Sequence, residues 1–322
     1  SSLVVLNKAS FACEGARPLA MGGAFTGLAD DANATYWNPA AMGLMERPEV
    51  TYTGAIYDRD AINYDDWISA VVPLKIARNK EKVDLGSIGL SFMNNTDKGK
   101  YSLLYYDINI TQNVEITDRW YTISYGRELA EIVKGLCAGA NLRYLAFEEV
   151  LKENATIAGT PYSTSASSSD SLYAVDLSMY YKSRYFSAGF LLQNVNEPEL
   201  TIFGTTGKYG ANFRPGVAYY LLNNRVILSG EIYDAFDRLH HRNLRIGGEV
   251  KIADNMAIRT GFYDFTATEK TGRAVTGGIG LLSGKIFGSE KMDISYAAMY
   301  WYKSKAELKD KLTHFISLSM KF

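Results

Sequence analysis

The sequence has little of several residue types, and each shortage excludes a class of protein. Its 322 residues include only two cysteines, three histidines and seven prolines. So few cysteines and histidines, widely scattered, leave little material for a zinc or iron–sulfur centre, and we predict neither a metal nor a cofactor. The longest apolar runs, such as residues 70–74, are far shorter than the ~18–20 residues that a membrane-spanning helix needs.

An excess of charge of either sign is also missing. The chain has 34 basic and 35 acidic residues, a net charge of −1, and 47% hydrophobic residues. This balance excludes nucleic-acid binding through bulk positive charge, and the hydrophobic content excludes a long disordered chain. The abundant residues are tyrosine, with 23 copies, and glycine, with 28.

Signatures of catalysis are missing as well. The serine-rich run 163–171 contains no Gly-x-Ser-x-Gly elbow and is typical of an outside loop. His240 and His241 are adjacent, so on an extended chain their side chains point in opposite directions, and we interpret them as loop residues. We therefore predict that the protein is not an enzyme.

The strongest positive signal is period-two alternation from about residue 50 onward. In residues 314–322, Ile316, Leu318, Met320 and Phe322 share one face, while two serines and a lysine occupy the other. The same pattern recurs in fourteen segments. They are 48–57, 67–76, 85–93, 119–129, 136–148, 172–182, 185–195, 212–222, 225–234, 244–252, 256–264, 273–282, 292–301 and 314–322.

The connections between these segments alternate in length. Those after even-numbered segments are mostly tight, as at 183–184 and 223–224. Long loops on one side and short turns on the other are typical of an outer-membrane barrel. An even number of strands places both termini on the periplasmic side. The predicted long loops are 58–66, 94–118, 149–171, 196–211, 235–243, 265–272 and 302–313.

A soluble propeller or sandwich would also have many short strands, but three observations argue against it. No internal repeat is present. Aromatic residues cluster at both ends of the segments, as at two membrane–water interfaces: Trp67, Trp120, Tyr121, Tyr263, Tyr300, Trp301 and Tyr302 at one end, and Tyr52, Tyr181, Phe186 and Phe322 at the other. The alternation also turns charges inward, namely Arg143, Asp176, Glu231, Arg245, Glu249, Arg259 and Asp293.

Residues 1–47 do not alternate. Asn38 is a suitable N-cap, Pro39 suits the first position of a helix, and Gly22-Gly23 permits close packing or positive φ. A barrel of fourteen strands encloses a lumen that such small and polar residues could fill. The predicted fold is therefore an all-β, fourteen-stranded antiparallel transmembrane barrel (residues 48–322) with an N-terminal plug (residues 1–47). A separate periplasmic tail is the alternative for this segment.

The charges that we predict to point inward have two interpretations. They form a path for polar solutes, or they pair structurally with Arg17, Asp30 and Asp31 of the plug. We favour pairing, because charges removed from water should be paired. Cys137 points inward near a short turn, and Cys13 lies in the plug. In an oxidising periplasm the two cysteines form either a disulfide or two buried free thiols.

The runs Gly-Ala-Arg-Pro-Leu-Ala-Met-Gly-Gly-Ala (15–24) and Ala-Asp-Asp-Ala through Asn-Pro-Ala-Ala-Met-Gly-Leu (29–44) carry a family resemblance. They resemble the N-terminal region of the FadL/TodX-type outer-membrane proteins, most closely the PorV/PorQ-like branch. The resemblance implies an outer-membrane location and a hatch that closes the barrel. The matching hatch residues are Arg17, Gly22, Gly23, Asp30, Asp31, Asn38, Pro39 and Ala40.

The two branches imply different functions. FadL-like barrels bind or pass hydrophobic, fatty-acid-like molecules, which leave sideways through the wall. A PorV-like protein is instead an envelope adaptor that docks secreted or surface proteins and transports nothing itself. Its outside-loop contacts would be Phe203, Tyr209, Trp301 and Tyr302. The expected partners are thus outer-membrane lipid, a hydrophobic small molecule or an envelope or secreted protein, and no nucleic acid.

Overall fold

The structure is a computed structural model that describes nine stretches of the chain. They are residues 14–57, 65–78, 81–105, 108–157, 160–239, 242–266, 273–283, 291–303 and 312–322. Within these stretches, no helix combines the length and the hydropathy that crossing a membrane would require.

The strands are numbered in chain order. They are β1 (Glu49–Tyr57), β2 (Asp66–Arg78), β3 (Glu81–Tyr105), β4 (Ile108–Glu128), β5 (Leu136–Ile157), β6 (Thr160–Lys182), β7 (Phe186–Gln193), β8 (Glu199–Ile202), β9 (Thr205–Lys208), β10 (Asn212–Leu221), β11 (Val226–Tyr233), β12 (Asn243–Ala253), β13 (Met256–Tyr263), β14 (Arg273–Ser283), β15 (Lys291–Lys303) and β16 (Leu312–Lys321).

Fourteen of these strands form one closed antiparallel barrel, which confirms the predicted all-β, fourteen-stranded barrel. Each of the fourteen pairs with the next barrel strand along the chain, so that β7 pairs with β10. β1 pairs with β16 from Glu49–Lys321 to Tyr57–Thr313 and closes the sheet. The other two strands, β8 and β9, form a separate hairpin between β7 and β10. Phe203 and Gly204 at its tip both have positive φ, as a tight two-residue turn requires.

The barrel wall is apolar outside and polar inside, the reverse of a soluble barrel. In β10, Val217, Tyr219 and Leu221 are exposed, whereas Asn212 and Arg214 are buried. In β16 likewise, Ile316 is 46% exposed while Ser317 is 3% exposed. This inversion means that the outer surface needs an apolar surrounding and that the buried polar side chains need partners inside.

Four neighbouring strands are much longer than the sequence predicts. β3, β4, β5 and β6 contain 25, 21, 22 and 23 residues, and they occupy most of the predicted loops 94–118 and 149–171. The ladders continue to Tyr105–Ile108 and to Ile157–Thr160. The prediction was wrong here because a strand extension with polar residues on both faces shows no alternation of hydropathy.

The predicted aromatic girdles are only partly correct. Tyr300 and Tyr302 do face outward, at 48% and 42% exposure. An outward row also crosses β3–β6, where neighbouring rings of Phe92, Tyr121, Tyr144 and Tyr173 have centroids 5.0–6.1 Å apart. Four predicted girdle residues instead point inward and pack in or against a buried cluster, because they lie on the other parity of their strands: Trp67, Trp120, Tyr263 and Trp301.

Residues 14–47, called the N-terminal segment below, pack against the inner faces of the strands. The segment contains helix α1 (Ala16–Ala20), helix α2 (Ala34–Trp37) and a 3₁₀ helix (Pro39–Leu44). Asn38 caps the 3₁₀ helix by accepting a hydrogen bond from the Ala40 amide, with Pro39 at the first position. Nearly all residues from Glu14 to Gly43 are buried, because the surrounding strands cover the segment from the side.

Candidate functional site

The guanidinium group of Arg17 joins the N-terminal segment to the barrel wall. Its Nε donates to Oε2 of Glu249 in β12 at 2.9 Å, and its Nη1 donates to Asp30 and, at 3.0 Å, to Oδ2 of Asp31. Glu249 also accepts a 2.7 Å bond from Nε of Arg259. The result is a connected ion-pair cluster in which two arginines share one wall carboxylate.

Burial and charge have opposite effects in this cluster. Burial opposes the charge of Asp30, but attraction to Arg17 outweighs it and lowers the pKa of that carboxyl below its ordinary range. Burial raises the pKa of Asp31, and the neighbouring charge of Asp30 adds to the rise. Asp30 is therefore the carboxylate that holds its negative charge opposite Arg17 most firmly.

A second attachment uses backbone amides of the segment. The amides of Phe25 and Thr26 donate to Oε2 of Glu231 in β11, at 3.2 and 3.0 Å. The other oxygen of Glu231 accepts a 2.9 Å bond from Nε of Arg214. One buried wall carboxylate thus satisfies both a loop of the segment and a buried arginine.

Positive φ angles explain why the predicted motif has glycine at positions 22 and 23. Gly22 and Gly23 have φ of 66° and 68°, in the left-handed region that other residues rarely adopt. The Gly22 amide donates to Oγ1 of Thr276, and a Cβ on Gly22 would lie 2.7 Å from backbone atoms of the wall. Neither the turn nor the close approach tolerates a side chain at this position.

Asn38 links the segment to β6, a part of the wall that the first two attachments do not contact. Its Nδ2 donates to the carbonyl oxygens of Thr26, within the segment, and Met179, in β6, at 3.0 and 3.1 Å. The adjacent Ala40 amide also donates to Oγ of Ser178 at 3.0 Å. Asn38 therefore organises the segment internally and fastens it to β6.

Three further arginines lie against aromatic rings at the end of the barrel that carries the long connections. Arg245 lies 4.3 Å from the ring centroid of Tyr233 and 4.1 Å from that of Tyr263, and Arg214 lies 5.6 Å from that of Tyr36. Arg143 pairs with Asp176 at 2.7 Å. Each cation is thus both neutralised and covered by a ring.

Aromatic rings and guanidinium groups alternate over the N-terminal segment, because Arg214 lies between Tyr36 and Tyr233, and Arg245 lies between Tyr233 and Tyr263. Tyr36 of the segment stacks on Trp120 at 6.5 Å and meets Trp67 edge-on at 6.1 Å. We define the aromatic floor as the four half-buried rings Tyr36, Trp120, Tyr233 and Tyr263. Two buried N–H groups beside it, Nε1 of Trp120 and Nε of Arg143, have no hydrogen-bond partner within the described part of the chain.

Sequence reasoning missed two members of this site. Arg214 is completely buried, and its position could have been read from the inward parity of β10, which it shares with Asn212 and Gly216. Tyr36 lies in the non-alternating segment, so no period marked the direction of its ring. Of the predicted charges, Asp293 is only half-buried and accepts a hydrogen bond from Ser295.

Other predicted residues have different surroundings. Trp301 is 5% exposed, which contradicts its predicted role as an outside-loop contact, because its strand parity points it inward. Phe203 and Tyr209 pack against the cluster around Leu145 and are only half-buried. Among the described residues, no three His, Cys, Asp or Glu side chains converge as metal ligands would.

Cys13, His240 and His241 lie outside the described residues. The thiol of Cys137 is buried, with its Sγ 4.0 Å from the carbonyl oxygen of Gly135. A disulfide between Cys13 and Cys137 therefore stays a prediction.

The chain is similar in fold to two solved structures. It matches a Pseudomonas aeruginosa FadL homologue with a TM-score of 0.60 at 11% identity, over 97% of this chain and 98% of that one. It matches the P. putida toluene transporter TodX with a TM-score of 0.59 at 12% identity, over 96% and 98%. No family model and no curated protein matches the sequence. At such low identity the likeness establishes the fold.

Replacing Arg17 by glutamine should loosen the N-terminal segment. The change leaves the carboxylates of Glu249, Asp30 and Asp31 without their shared cation, and breaking a buried ion pair costs about 3–5 kcal/mol. Amide hydrogen exchange of residues 16–31 should therefore rise about a hundredfold or more. The control Arg127→Gln removes an exposed pair with Glu131, worth about 0–1 kcal/mol, and should leave this exchange unchanged. Equal exchange in both variants would contradict the anchoring role.

The lowered pKa of Asp30 predicts a specific acid response. A carboxylate with a depressed folded-state pKa contributes stability above its unfolded value, about 3.9, and loses that contribution as the pH falls through the folded value. The difference in thermal unfolding midpoint between wild type and Asp30→Asn should be constant from pH 7 to about pH 5. It should shrink only below about pH 4. A difference that already disappears between pH 7 and 6 would refute the assignment.

Proposed function

We propose that this protein is an outer-membrane channel that binds and passes hydrophobic small molecules, with residues 1–47 as a hatch. The observation that carries the proposal is the aromatic floor, in which the half-buried rings of Tyr36, Trp120, Tyr233 and Tyr263 lie over the N-terminal segment. Its rings offer flat apolar contact area, and the unpartnered N–H groups of Trp120 and Arg143 offer donors to a polar end of a ligand.

The contacts of the N-terminal segment support its role as a hatch. It is joined to the wall by side-chain packing, hydrogen bonds and ion pairs, including those of Arg17, Glu231 and Asn38, rather than by strand pairing with the wall. Polar contacts of this kind can exchange for others when the segment moves, whereas the fourteen-stranded ladder cannot open without exposing backbone groups. The segment is thus the part of the structure whose displacement would open a path.

The fold and the outer surface support the location. The exposed apolar band suits the hydrocarbon region of a bilayer, and the two similar solved structures are a FadL homologue and the toluene transporter TodX. With the short turns on the periplasmic side, both termini are periplasmic. An adaptor of the PorV/PorQ-like kind is the alternative, and it would need no ligand surface above the segment.

The first test is uptake of toluene and oleic acid by cells that express the protein. Trp120→Ala removes one ring and one donor from the aromatic floor, and it should reduce the initial rate of uptake about tenfold. The control Tyr302→Ala removes an outward-facing ring of similar size, which is 42% exposed, and should leave uptake unchanged. Uptake no faster than in cells without the protein would refute the channel and favour the adaptor.

A second test addresses the hatch. The double variant Asp30→Ala/Asp31→Ala removes both segment carboxylates that hold Arg17, so the hatch should open more often. The single-channel ion leak in planar bilayers should rise several-fold above that of the wild type. An unchanged leak would count against the hatch even if uptake is observed.

A further inference from the structure

A groove of about 610 Å³ runs along the outer face of the barrel across β6, β7, β10, β11 and β12. Its walls are large apolar side chains that face outward. Its volume lies within the ~300–1,000 Å³ range of ligand pockets, although it opens away from the N-terminal segment. The residues that form its walls are Met179, Tyr181, Phe190, Phe213, Val217 and Ile232.

The groove exists because small residues lie in register on this part of the outer face. Ala188 pairs with Val217, which pairs with Gly230, and Phe190 pairs with Pro215 in the next outward row. A Cβ on Gly230 would meet no atom closer than the Arg245 carbonyl oxygen, at 3.9 Å. A larger side chain at this glycine would therefore enter the groove without disturbing the wall.

The sheet itself is interrupted beside the groove. The pairing of β10 with β11 ends at Gly216–Glu231, and the next residue, Pro215, has no N–H to continue the ladder. The groove follows β10 from Val217 to Phe213, a distance of about 13 Å at ~3.3 Å per residue. Its mostly apolar lining and this length suit an alkyl chain.

The short-turn end of the groove has an aromatic and cationic rim. Phe186 lies between Tyr181 and Tyr219, with ring centroids 5.8 and 6.4 Å away. The two turns below them carry Arg184 and Arg225, which are both exposed. Neither residues 181–189 nor residues 217–226 contain an acidic residue. Arg184 also borders a pocket that contains three acidic residues and three lysines, namely Glu46, Asp84, Glu128, Lys75, Lys134 and Lys182. Cations therefore outnumber acids around this turn, and the positive charge is complementary to an anionic headgroup.

We propose that this groove binds one acyl chain of an anionic phospholipid from the leaflet on the short-turn side, with its phosphate between Arg184 and Arg225. The apolar groove takes the chain, the aromatic rim marks the depth of the interface, and the two arginines select the headgroup. This lipid site lies on the outside of the wall. The inference rests on the proposed membrane location and is independent of the passage of ligands past the N-terminal segment.

Native mass spectrometry on the purified full-length protein tests the proposal. The protein is delipidated in mild detergent and given equal amounts of dioleoylphosphatidylglycerol and dioleoylphosphatidylethanolamine. The wild type should retain one phosphatidylglycerol in preference to phosphatidylethanolamine. Gly230→Leu fills the groove and should lower this retention at least tenfold.

The matched control is Gly277→Leu. Gly277 also faces outward, on β14, and a Cβ there would meet no atom closer than 3.8 Å. This variant should retain phosphatidylglycerol as the wild type does. Both variants should migrate as folded, heat-modifiable barrels on gels, and both should take up toluene at the wild-type rate, which separates this test from that of the channel.

The headgroup is tested by Arg184→Gln/Arg225→Gln. This variant should bind both lipids equally, while Arg119→Gln/Arg127→Gln, with the same loss of charge elsewhere on the exposed surface, should keep the preference. Equal retention by the wild type, Gly230→Leu and Gly277→Leu would overturn the lipid site. Loss of retention in Gly230→Leu without any headgroup preference in the wild type would overturn the role of the two arginines.

Discussion

The polar side chains on the inner face of the closed sheet need partners, and much of the remaining structure supplies them. Its carboxylates, hydroxyls and guanidinium groups are buried, so each needs a hydrogen-bond or ion-pair partner. The N-terminal segment supplies many of these partners, as the bonds of Arg17 to Glu249 and of the Phe25 and Thr26 amides to Glu231 show. The segment also packs apolar side chains such as Phe25, Trp37 and Met42 against the wall, and it depends on the wall for its shape.

This dependence explains why the segment is rich in small residues. Gly22 packs against the backbone of β12 and β13 while it forms a left-handed turn, which leaves no room for a side chain. The side-chain amide of Asn38 donates hydrogen bonds to two carbonyl oxygens, one in the segment and one in β6. Contacts of this kind fix the segment in one place, yet each is a single polar bond that movement could exchange, as the proposed hatch requires.

The two faces of the same wall carry the two proposed binding surfaces. Inside, the long-connection end carries the aromatic floor with Arg143 against Trp120, and a hydrophobic molecule would meet the segment there. Outside, Ala188, Pro215 and Gly230 leave a groove that lipid would fill. Both surfaces follow from strand parity, because the side chains of adjacent residues in one strand point to opposite sides of the barrel wall.

The sequence by itself determined the barrel, the strand number and the inward charges. A period of two residues shows which side chains of a strand share a face, regardless of which strands lie beside it. It also marked Asn38 as a cap, since that geometry is local. It did not determine the length of β3–β6 or the meeting of Arg17 with Glu249. Only the tertiary structure decided these, because they depend on which strand lies alongside another and on residues 232 positions apart becoming neighbours across the closed sheet.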